Sequence, residues 1–373
     1  MNHPPAEIGM PLADVDTPAL LIDLDAFERN LDAMAERISA TGVRLRPHSK
    51  THKCAVIARR QMALGAVGAC CQKVSEAQAL VQAGVSDVLV SNQVVGRRKI
   101  ERLVALAREA RIGVCVDDAG NAADVGEAAA AAGLTIDGLV EIDVGAGRCG
   151  VAPGEEALAL ARLVTTIDGL RFAGLQAYHG SAQHIRDYAE RGRAIDAAVS
   201  VTRATVESLA EEGIECETVA GAGTGTWQFE AASGLYNELQ AGSYVFMDVD
   251  YAKNLDEAGD PFADFEHSLF VYSTVMSHPT RERAVLDAGL KAFATDCGMP
   301  RIADIESATA LKASDEHAVV DLTASNASVA VGDKVRLIPG HCDPTVNLYD
   351  WYVCVRGERV EALWPIVARG CVW

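Results

Sequence analysis

Long apolar runs and a surplus of positive charge are both missing from this 373-residue sequence. It contains no stretch of about 18 apolar residues, the length that a membrane-spanning helix needs. Lys and Arg number 33 against 52 Asp and Glu, which gives a formal net charge of −19, and there is no long basic run. Proteins that bind nucleic acids or anionic membranes carry basic patches. The composition therefore predicts a protein that binds neither.

Paired cysteine motifs are also absent. The ten cysteines are scattered without any C-x-x-C pair, and Cys70 and Cys71 lie side by side in an apolar run. Free cysteines in such a run pack as small hydrophobic residues. The segment Met1–Glu7 lacks the charged and apolar regions of a secretory signal. We therefore expect a cytoplasmic protein with reduced thiols.

What the sequence does contain, between about residues 14 and 250, is an alternation of short β-branched runs with alanine-rich helical stretches. A first strand is expected at Pro18–Leu24, with Asp25 as the N-cap of the helix that follows. Eight further strands are expected at Val43–His48, Ala66–Cys70, Asp87–Ser91, Ile112–Asp117, Gly138–Val144, Phe172–Tyr178, Glu215–Ala220 and Glu238–Ala241. Eight strands with intervening helices are typical of a (β/α)8 barrel. A doubly wound sheet would need a G-x-G-x-x-G turn after its first strand, and none is present.

The pattern changes after about residue 250, where few helical periods remain. Five more strands are expected at His267–Met276, Arg283–Asp287, Ala318–Leu322, Asp333–Ile338 and Trp351–Val355. Pro4–Leu12 could add a strand to them. The sequence therefore predicts an α/β protein with a (β/α)8 barrel over residues 14–250. A mainly β domain would follow over residues 251–373, together with about residues 1–13.

The first barrel strand has an unusual polar face. Period-two alternation puts Arg44, Arg46, His48 and Lys50 on one side of it. Such a face fits a polar cavity that holds an anion, although a solvated edge strand would also explain it. Desolvation and neighbouring cations lower the pKa of an amine, so Lys50 is a candidate for a Schiff base.

A candidate phosphate site follows the seventh barrel strand. Gly223, Thr224, Gly225 and Thr226 can offer backbone N–H groups and hydroxyls in a concave nest. Barrel enzymes often bind phosphate at this position. A glycine-rich turn without a ligand is the competing interpretation.

The run from Pro47 to Lys53, Pro-His-Ser-Lys-Thr-His-Lys, resembles the signature of the D-threonine aldolase and D-serine dehydratase family. These are pyridoxal-phosphate enzymes with the alanine-racemase type of fold, and the resemblance continues almost to the C-terminus. It implies that Lys50 carries the cofactor. It further implies that Tyr178 contacts the pyridine nitrogen and that Arg148 lies along the ring.

The same resemblance implies a second phosphate contact after the eighth strand, in the segment Gln240–Tyr244. There the backbone must approach the phosphate closely, which requires Gly242. Tyr244 belongs to the same segment.

A candidate metal site lies near the end of the chain, in Gly340-His-Cys-Asp-Pro344. In extended backbone His341 and Asp343 point to the same side, and this pair leaves most metal positions open. A lone H-x-D is also found in ordinary turns, and a bulge could present Cys342 instead. The resemblance implies a divalent cation here, with His-x-Asp in the aldolases and His-x-Cys in the dehydratases. We expect Mn²⁺, with Mg²⁺ or Zn²⁺ as alternatives.

Together these residues predict an enzyme that cleaves D-threonine and related D-β-hydroxy-α-amino acids to glycine and an aldehyde. Lys50 would hold the cofactor, and His184 or a metal-bound hydroxide would serve as the base. Dehydration of D-serine or D-threo-3-hydroxyaspartate is the alternative reaction. A non-catalytic pyridoxal-phosphate carrier is the alternative from another class. The resemblance also implies a homodimer.

Overall fold

The computed structural model describes residues 3–373. Its strands are β1 (Ala19–Asp23), β2 (Arg44–Leu45), β3 (Ala69–Cys71), β4 (Asp87–Gln93), β5 (Arg111–Val116), β6 (Ile136–Glu141), β7 (Leu170–Gln176), β8 (Thr218–Gly221), β9 (Glu238–Leu239), β10 (Leu269–Thr280), β11 (Arg283–Leu286), β12 (Arg301–Ile302), β13 (Thr309–Ala313), β14 (Ala318–Asp321), β15 (Lys334–Ile338), β16 (Trp351–Arg356) and β17 (Arg359–Pro365). Its α-helices are α1 (Leu24–Thr41), α2 (Ala55–Ala63), α3 (Val74–Gln82), α4 (Arg97–Leu106), α5 (Ala119–Ala131), α6 (Glu155–Thr166), α7 (Tyr188–Glu211), α8 (Trp227–Ala232) and α9 (Cys342–Val346).

Strands β2 to β9 form a parallel barrel in the order β2-β9-β8-β7-β6-β5-β4-β3. The two ends of this sheet meet, because His48 forms a parallel bridge with Cys70 and the Val67 N–H donates to the Leu45 carbonyl oxygen at 2.9 Å. Each strand coincides with one of the eight expected from the sequence. The predicted (β/α)8 barrel is confirmed.

The barrel interior is divided by an apolar layer. Its members come from six successive strands, are buried, and form a cluster separate from the main core: Cys70, Leu89, Cys115, Leu139, Ala173 and Ala220. Because successive residues of a strand face opposite sides, the valines between them pack outward against the helices. The layer separates the polar groups at the two ends of the barrel.

The C-terminal part of the chain is mainly β, as the sequence predicts, and its sheet is mainly antiparallel. Its strand order is β13-β14-β11-β10-β1-β16-β17, with β15 pairing with β10 and β12. Strand β1 belongs to this sheet, antiparallel to β10 and parallel to β16, although its residues fall inside the range predicted for the barrel. Ala19–Ile22 are completely buried, and an apolar run of that kind fits the centre of either sheet.

Three local predictions differ from the structure. Pro4–Leu12 forms no strand; only Pro11 makes an isolated bridge, with Arg359. The N-cap of α1 is Asp23, whose side chain accepts the Ala26 N–H at 3.1 Å, so Asp25 already lies within the helix. The sequence pattern also misses β12, which has only two residues, and β13 and β17, in which few residues are buried, so that their hydrophobic periodicity is weak.

Hydrogen bonds hold the segment that precedes α9 against the end of the barrel where the carboxyl ends of its strands lie. The Val249 N–H donates to the Pro339 carbonyl oxygen and the Cys342 N–H to Asp248, both at 3.0 Å. On the neighbouring strand β16, the Tyr352 hydroxyl donates to the carbonyl oxygen of His52 at 2.7 Å. These bonds bring the C-terminal H-x-D segment to the carboxyl ends of the barrel strands. In the described chain, no helix combines the length and apolar character needed to cross a membrane.

Candidate active site

A cavity of about 360 Å³ opens at the carboxyl ends of the barrel strands. This is the end of a (β/α)8 barrel where reactive groups collect. Its lining is polar and comes from almost every strand-to-helix loop: His48, Lys50, Thr51, Gln72, Ser91, Ala146, Arg148, Gln176, Tyr178, Gly180, Ser181, His184, Ala222, Gly223, Thr224, Gln240, Gly242, Ser243 and Tyr251.

Lys50 enters this cavity from a tight turn after β2. The Lys53 N–H donates to the Ser49 carbonyl oxygen at 2.7 Å, and the Lys53 ammonium is buried in an ion pair with Glu76 at 2.6 Å. The Lys50 Nζ instead lies 2.5 Å from Oδ2 of Asp343. Of the two lysines in the motif, Lys50 is therefore the one available to a ligand in the cavity.

The pKa of Lys50 is shifted in the direction opposite to that predicted from the sequence. Burial disfavours the ammonium, but the Asp343 carboxylate outweighs burial, so the pKa of Lys50 is raised above its usual value. The sequence predicted a lowered pKa, because the pairing with a carboxylate from the distant C-terminal segment could not be foreseen. The neighbouring arginines that were expected to lower this pKa, Arg44 and Arg46, do not point toward Lys50.

Two of those cations, Arg44 and Arg46, lie at the opposite end of the barrel. Arg46 pairs with Glu238 at 2.8 Å and with Asp87 at 2.5 Å, and Arg44 donates to Thr218 at 2.9 Å. They line a separate cavity of about 160 Å³. The prediction that all four polar residues of the strand face one anion site is wrong for these two, because the apolar layer of the barrel lies between the two ends.

His48 forms the floor of the main cavity beside Lys50. Its Nδ1 accepts the Lys50 backbone N–H at 3.3 Å, and its Nε2 lies 2.9 Å from Gln72 Nε2 and 3.2 Å from Ser91 Oγ. Burial, followed by the charge of Lys50, holds the pKa of His48 well below its ordinary value. The ring is therefore neutral and serves as a fixed polar wall.

Part of the cavity wall is a cradle of small residues, which consists of Gly223, Thr224, Gly242 and Ser243. A Cβ atom on Gly242 would come within 2.5 Å of the His48 carbonyl oxygen, and one on Gly223 within 2.4 Å of Gln183 Oε1. The contact at Gly242 is with backbone, so only glycine allows the two segments to approach this closely, and the cradle offers backbone and hydroxyl groups that suit a phosphate.

The other predicted phosphate residues support the cradle from behind. The Gly225 N–H donates to Gln183 at 3.0 Å, and the Thr226 hydroxyl donates to Glu230 at 2.9 Å. Tyr244 is buried, with its N–H on Thr224 at 3.0 Å and its hydroxyl accepting from Gln61 at 3.0 Å. Their hydrogen bonds hold the cradle residues in place.

Tyr178 and Arg148 also line the cavity. The Arg148 guanidinium lies over the Tyr178 ring, 5.8 Å from its centroid, and 3.8 Å from Glu141. Asp143 shapes the loop that carries Arg148 by accepting two backbone N–H bonds, each at 3.0 Å. Burial raises the pKa of Tyr178 despite the nearby Lys50, so its phenol is neutral.

His184 lies at the rim of the cavity with its side chain about 50% exposed. Its Nδ1 is 2.7 Å from Asp250, which also binds Arg186 at 2.5 Å. Burial alone would raise the pKa of Asp250, but hydrogen bonds from His184 and Arg186 lower it. An ionised Asp250 fixes the imidazole with its Nε2 available to a ligand.

The H-x-D segment contributes the final side chains. Asp343 lies in the first turn of α9, and its Oδ1 is buried without a hydrogen-bond partner among residues 3–373. Burial opposes its ionisation, but Lys50 and His341 lower the pKa of Asp343 to about 2. The Cys342 thiol points away into the core and donates to the Met247 carbonyl oxygen at 3.2 Å. The bulge that would present Cys342 does not occur.

The sequence missed two residues next to His341. Asp296 Oδ2 lies 2.7 Å from His341 Nδ1, and the Cys297 thiol lies 3.7 Å from the same nitrogen. Both residues come from a loop 44 and 45 positions away in sequence, where nothing marks them as special. The same is true of Tyr251 at the cavity rim.

These groups fit a pyridoxal phosphate and a divalent cation. The cavity is lined by a lysine, by a cradle of small residues suited to a phosphate, and by a neutral phenol with an arginine over its ring. The unpartnered Oδ1 of Asp343 is an ionised oxygen that a hard cation would satisfy.

The chain matches two family models that together cover both halves. Residues 22–250 match the alanine racemase N-terminal domain, and residues 268–355 match the putative serine dehydratase domain. The first of these families comprises pyridoxal-phosphate proteins, so the cofactor is implied by the family itself.

The chain is also similar to named enzymes along most of its length. It is 51% identical over 328 residues to a D-threonine aldolase from an Arthrobacter species, covering 88% of this chain and 86% of the relative. It is 45% identical over 335 residues to a 3-hydroxy-D-aspartate aldolase from Paracoccus denitrificans, with coverages of 89% and 86%. The crystal structure of a D-threonine aldolase from Filomicrobium marinum superposes with a TM-score of 0.96 at 53% identity, over 99% of this chain and 100% of that one. The chain therefore belongs to the family of alanine-racemase-fold lyases that includes D-threonine aldolase and 3-hydroxy-D-aspartate aldolase.

Proposed function

We propose that this protein is a pyridoxal-phosphate- and metal-dependent aldolase, which cleaves D-threonine and related D-β-hydroxy-α-amino acids to glycine and an aldehyde. The observation that carries this proposal is the 2.5 Å contact between Lys50 Nζ and Asp343 Oδ2. This contact supports the proposal because it brings the lysine that would hold the cofactor next to a carboxylate that would bind the metal. The similarity to named aldolases supports the same reaction.

Lys50 would hold the cofactor covalently. The cradle of Gly223, Thr224, Gly242 and Ser243 would bind its phosphate, supported from behind by Gly225, Thr226 and Tyr244. Tyr178 would contact the ring nitrogen, and Arg148 would lie along the ring. Pyridoxal phosphate bound in this way supplies an electron-accepting ring that stabilises negative charge at the substrate Cα. Because Tyr178 is a neutral phenol, it does not force the ring nitrogen to be protonated as a carboxylate would.

His341 and Asp343 would hold the divalent cation, and we propose Mn²⁺, since an imidazole and a carboxylate suit such a cation. A cation at this position supplies Lewis acidity toward the β-hydroxyl of the substrate. The two ligands leave most coordination positions free for substrate and water. Because Asp343 contacts Lys50 of the same chain at 2.5 Å, we propose that the pair serves its own barrel.

Cleavage of the Cα–Cβ bond requires the β-hydroxyl to lose its proton. We propose His184 as the base, because its ring lines the cavity and Asp250 holds its Nδ1 at 2.7 Å. The ionised Asp250 stabilises the positive charge that His184 acquires on taking the proton. Arg186 positions Asp250 from the other side.

We further propose that the enzyme works in the cytoplasm as a homodimer. All ten cysteines are free thiols, which suits a reducing compartment. The dimer rests on the family resemblance alone, and size-exclusion chromatography with light scattering tests it.

The reaction is tested by incubating the holoenzyme with D-threonine and Mn²⁺ and identifying the products. We expect glycine and acetaldehyde in equal amounts, with L-threonine and the Lys50→Ala variant as inactive controls. Formation of 2-oxobutanoate in place of acetaldehyde would establish dehydration instead. Bound cofactor without turnover of any D-β-hydroxy amino acid would establish a non-catalytic carrier.

A further inference from the structure

The side chains of Asp296, Cys297 and His341 bring three metal-binding atoms together at Nδ1 of the His341 ring. Asp296 and Cys297 come from the loop between β11 and β12, and His341 comes from the segment before α9. The carboxylate oxygen, the thiol sulfur and Nδ1 all lie within 4.8 Å of one another. Among residues 3–373 this is the one cluster of three such donors.

Contacts between the two segments hold the cluster together. A Cβ atom on Gly340 would come 2.2 Å from the Gly298 carbonyl oxygen, so the segments can approach each other only because residue 340 is a glycine. The Thr345 hydroxyl accepts the Ala294 N–H at 3.1 Å and donates to the His341 carbonyl oxygen at 2.8 Å. The donors are therefore preorganised by the fold.

The separations match those of a tetrahedral zinc site. With zinc–sulfur and zinc–nitrogen or zinc–oxygen bonds of about 2.3 and 2.0 Å, sulfur lies roughly 3.5 Å from a nitrogen or oxygen ligand. The Cys297 sulfur lies 3.7 Å from both His341 Nδ1 and Asp296 Oδ2. The third pair of atoms, His341 Nδ1 and Asp296 Oδ2, lies 2.7 Å apart. These two atoms would have to move apart by roughly half an ångström for both to bind one zinc ion. Asp296 is half exposed, which leaves the fourth position open to water.

We propose that Asp296, Cys297 and His341 form a second divalent-cation site, which selects a thiophilic cation of the Zn²⁺ type. Soft thiolate ligands favour Zn²⁺ over Mn²⁺, whereas the His341–Asp343 pair suits Mn²⁺. Binding replaces the thiol proton of Cys297, which passes to solvent, and leaves the cation bound to a thiolate, a carboxylate and a neutral imidazole.

The two sites exclude each other. A neutral imidazole has one lone pair for a metal, so a cation on Nδ1 leaves Nε2 protonated and unable to bind the catalytic cation. When zinc occupies the second site, His341 can no longer bind the catalytic cation together with Asp343, and the enzyme is therefore inhibited. This regulatory consequence rests on the proposed aldolase function, whereas the cation site itself does not.

The site is tested with Co²⁺ as a spectroscopic substitute for Zn²⁺ on chelator-treated holoenzyme. We expect a sulfur-to-cobalt charge-transfer absorption that disappears in Cys297→Ser. It should persist in Cys149→Ser, a partly exposed cysteine elsewhere, and in Asp343→Ala. An absent band in the unmodified protein, or an unchanged band in Cys297→Ser, overturns the site.

The regulation is tested by titrating Zn²⁺ against Mn²⁺-supported turnover of D-threonine. Cys297→Ser should raise the half-inhibitory Zn²⁺ concentration at least tenfold, and Cys149→Ser should not change it. Equal inhibition of all three proteins contradicts the exclusion of one cation by the other. If the protein proves to have no aldolase activity, the cobalt absorption still decides whether the site exists.

Discussion

The ammonium of Lys50 and the carboxylate of Asp343 lie 2.5 Å apart in space but 293 residues apart in sequence. Lys50 lies on the first strand-to-helix turn of the barrel, and Asp343 lies in the first turn of the short helix α9 of the β domain. The proposed site therefore needs both halves of the chain, because residues up to Tyr251 line the cavity and Asp343 reaches Lys50 from the β domain. One ion pair connects the residues to which we assign the cofactor and the metal.

The first prediction concerns the attachment of the cofactor. Borohydride reduction of the holoenzyme should abolish its near-visible absorption and fix the cofactor permanently to one lysine as a label. We expect this label on Lys50, because Lys53 is buried against Glu76 at 2.6 Å. Peptide mapping by mass spectrometry checks this. Lys50→Ala should keep the fold and lose the covalent cofactor, whereas recovery of label on Lys53 would refute the assignment.

The second prediction concerns the phosphate cradle. Gly242→Ala should weaken cofactor binding by about 1–3 kcal/mol, through strain and lost N–H contacts, because its Cβ would lie 2.5 Å from the His48 carbonyl oxygen. Equilibrium titration of the apoenzyme with pyridoxal phosphate measures the change. Gly120→Ala, in the first turn of α5, is the matched control and should bind normally. Equal affinity in both variants would locate the phosphate elsewhere.

The third prediction concerns Glu230, which lies buried beneath the cradle and accepts the Thr226 hydroxyl at 2.9 Å. Burial raises the pKa of Glu230 to about 8 from an ordinary 4.5. The folded protein keeps this proton between these two pH values while the unfolded chain releases it, so stability should fall as pH rises through that window. The loss is on the order of a few kcal/mol.

Glu230→Gln should remove that part of the pH dependence, because an amide keeps the hydrogen bond to Thr226 and does not ionise. Urea unfolding from below to above the window measures the slope, with the exposed Glu207→Gln as a control. A variant that keeps the slope of the unmodified protein would show that Glu230 ionises normally.

The strands and the cofactor lysine could be predicted because their signals are local. The eight barrel strands follow from short apolar runs between helices, and Lys50 follows from a motif of seven residues. The Cys342 thiol could be set aside only from the structure, where it bonds to Met247.

What could not be predicted depends on contacts between distant residues. Period-two alternation puts Arg46 on the same predicted strand face as Lys50, but in the structure Lys50 lies in the turn after β2 and Arg46 pairs with Glu238 and Asp87 on the other side of the apolar layer. The raised pKa of Lys50 comes from Asp343, which no local pattern connects to it. Asp296 and Cys297 become candidate metal ligands only because the fold brings their loop next to His341.

The central claim is that Lys50 holds the cofactor and Asp343 binds the metal, as two independent functions of one site. Its most direct test is to measure both bound cofactor and turnover of D-threonine in Asp343→Ala, with Cys342→Ala as the neighbouring control. Losing a Lewis acid costs several kcal/mol of activation free energy, so turnover with Mn²⁺ should fall at least ~100-fold while bound pyridoxal phosphate stays stoichiometric. Cys342→Ala should keep most of its turnover. An active Asp343→Ala, or one that loses its cofactor along with its activity, would contradict the account.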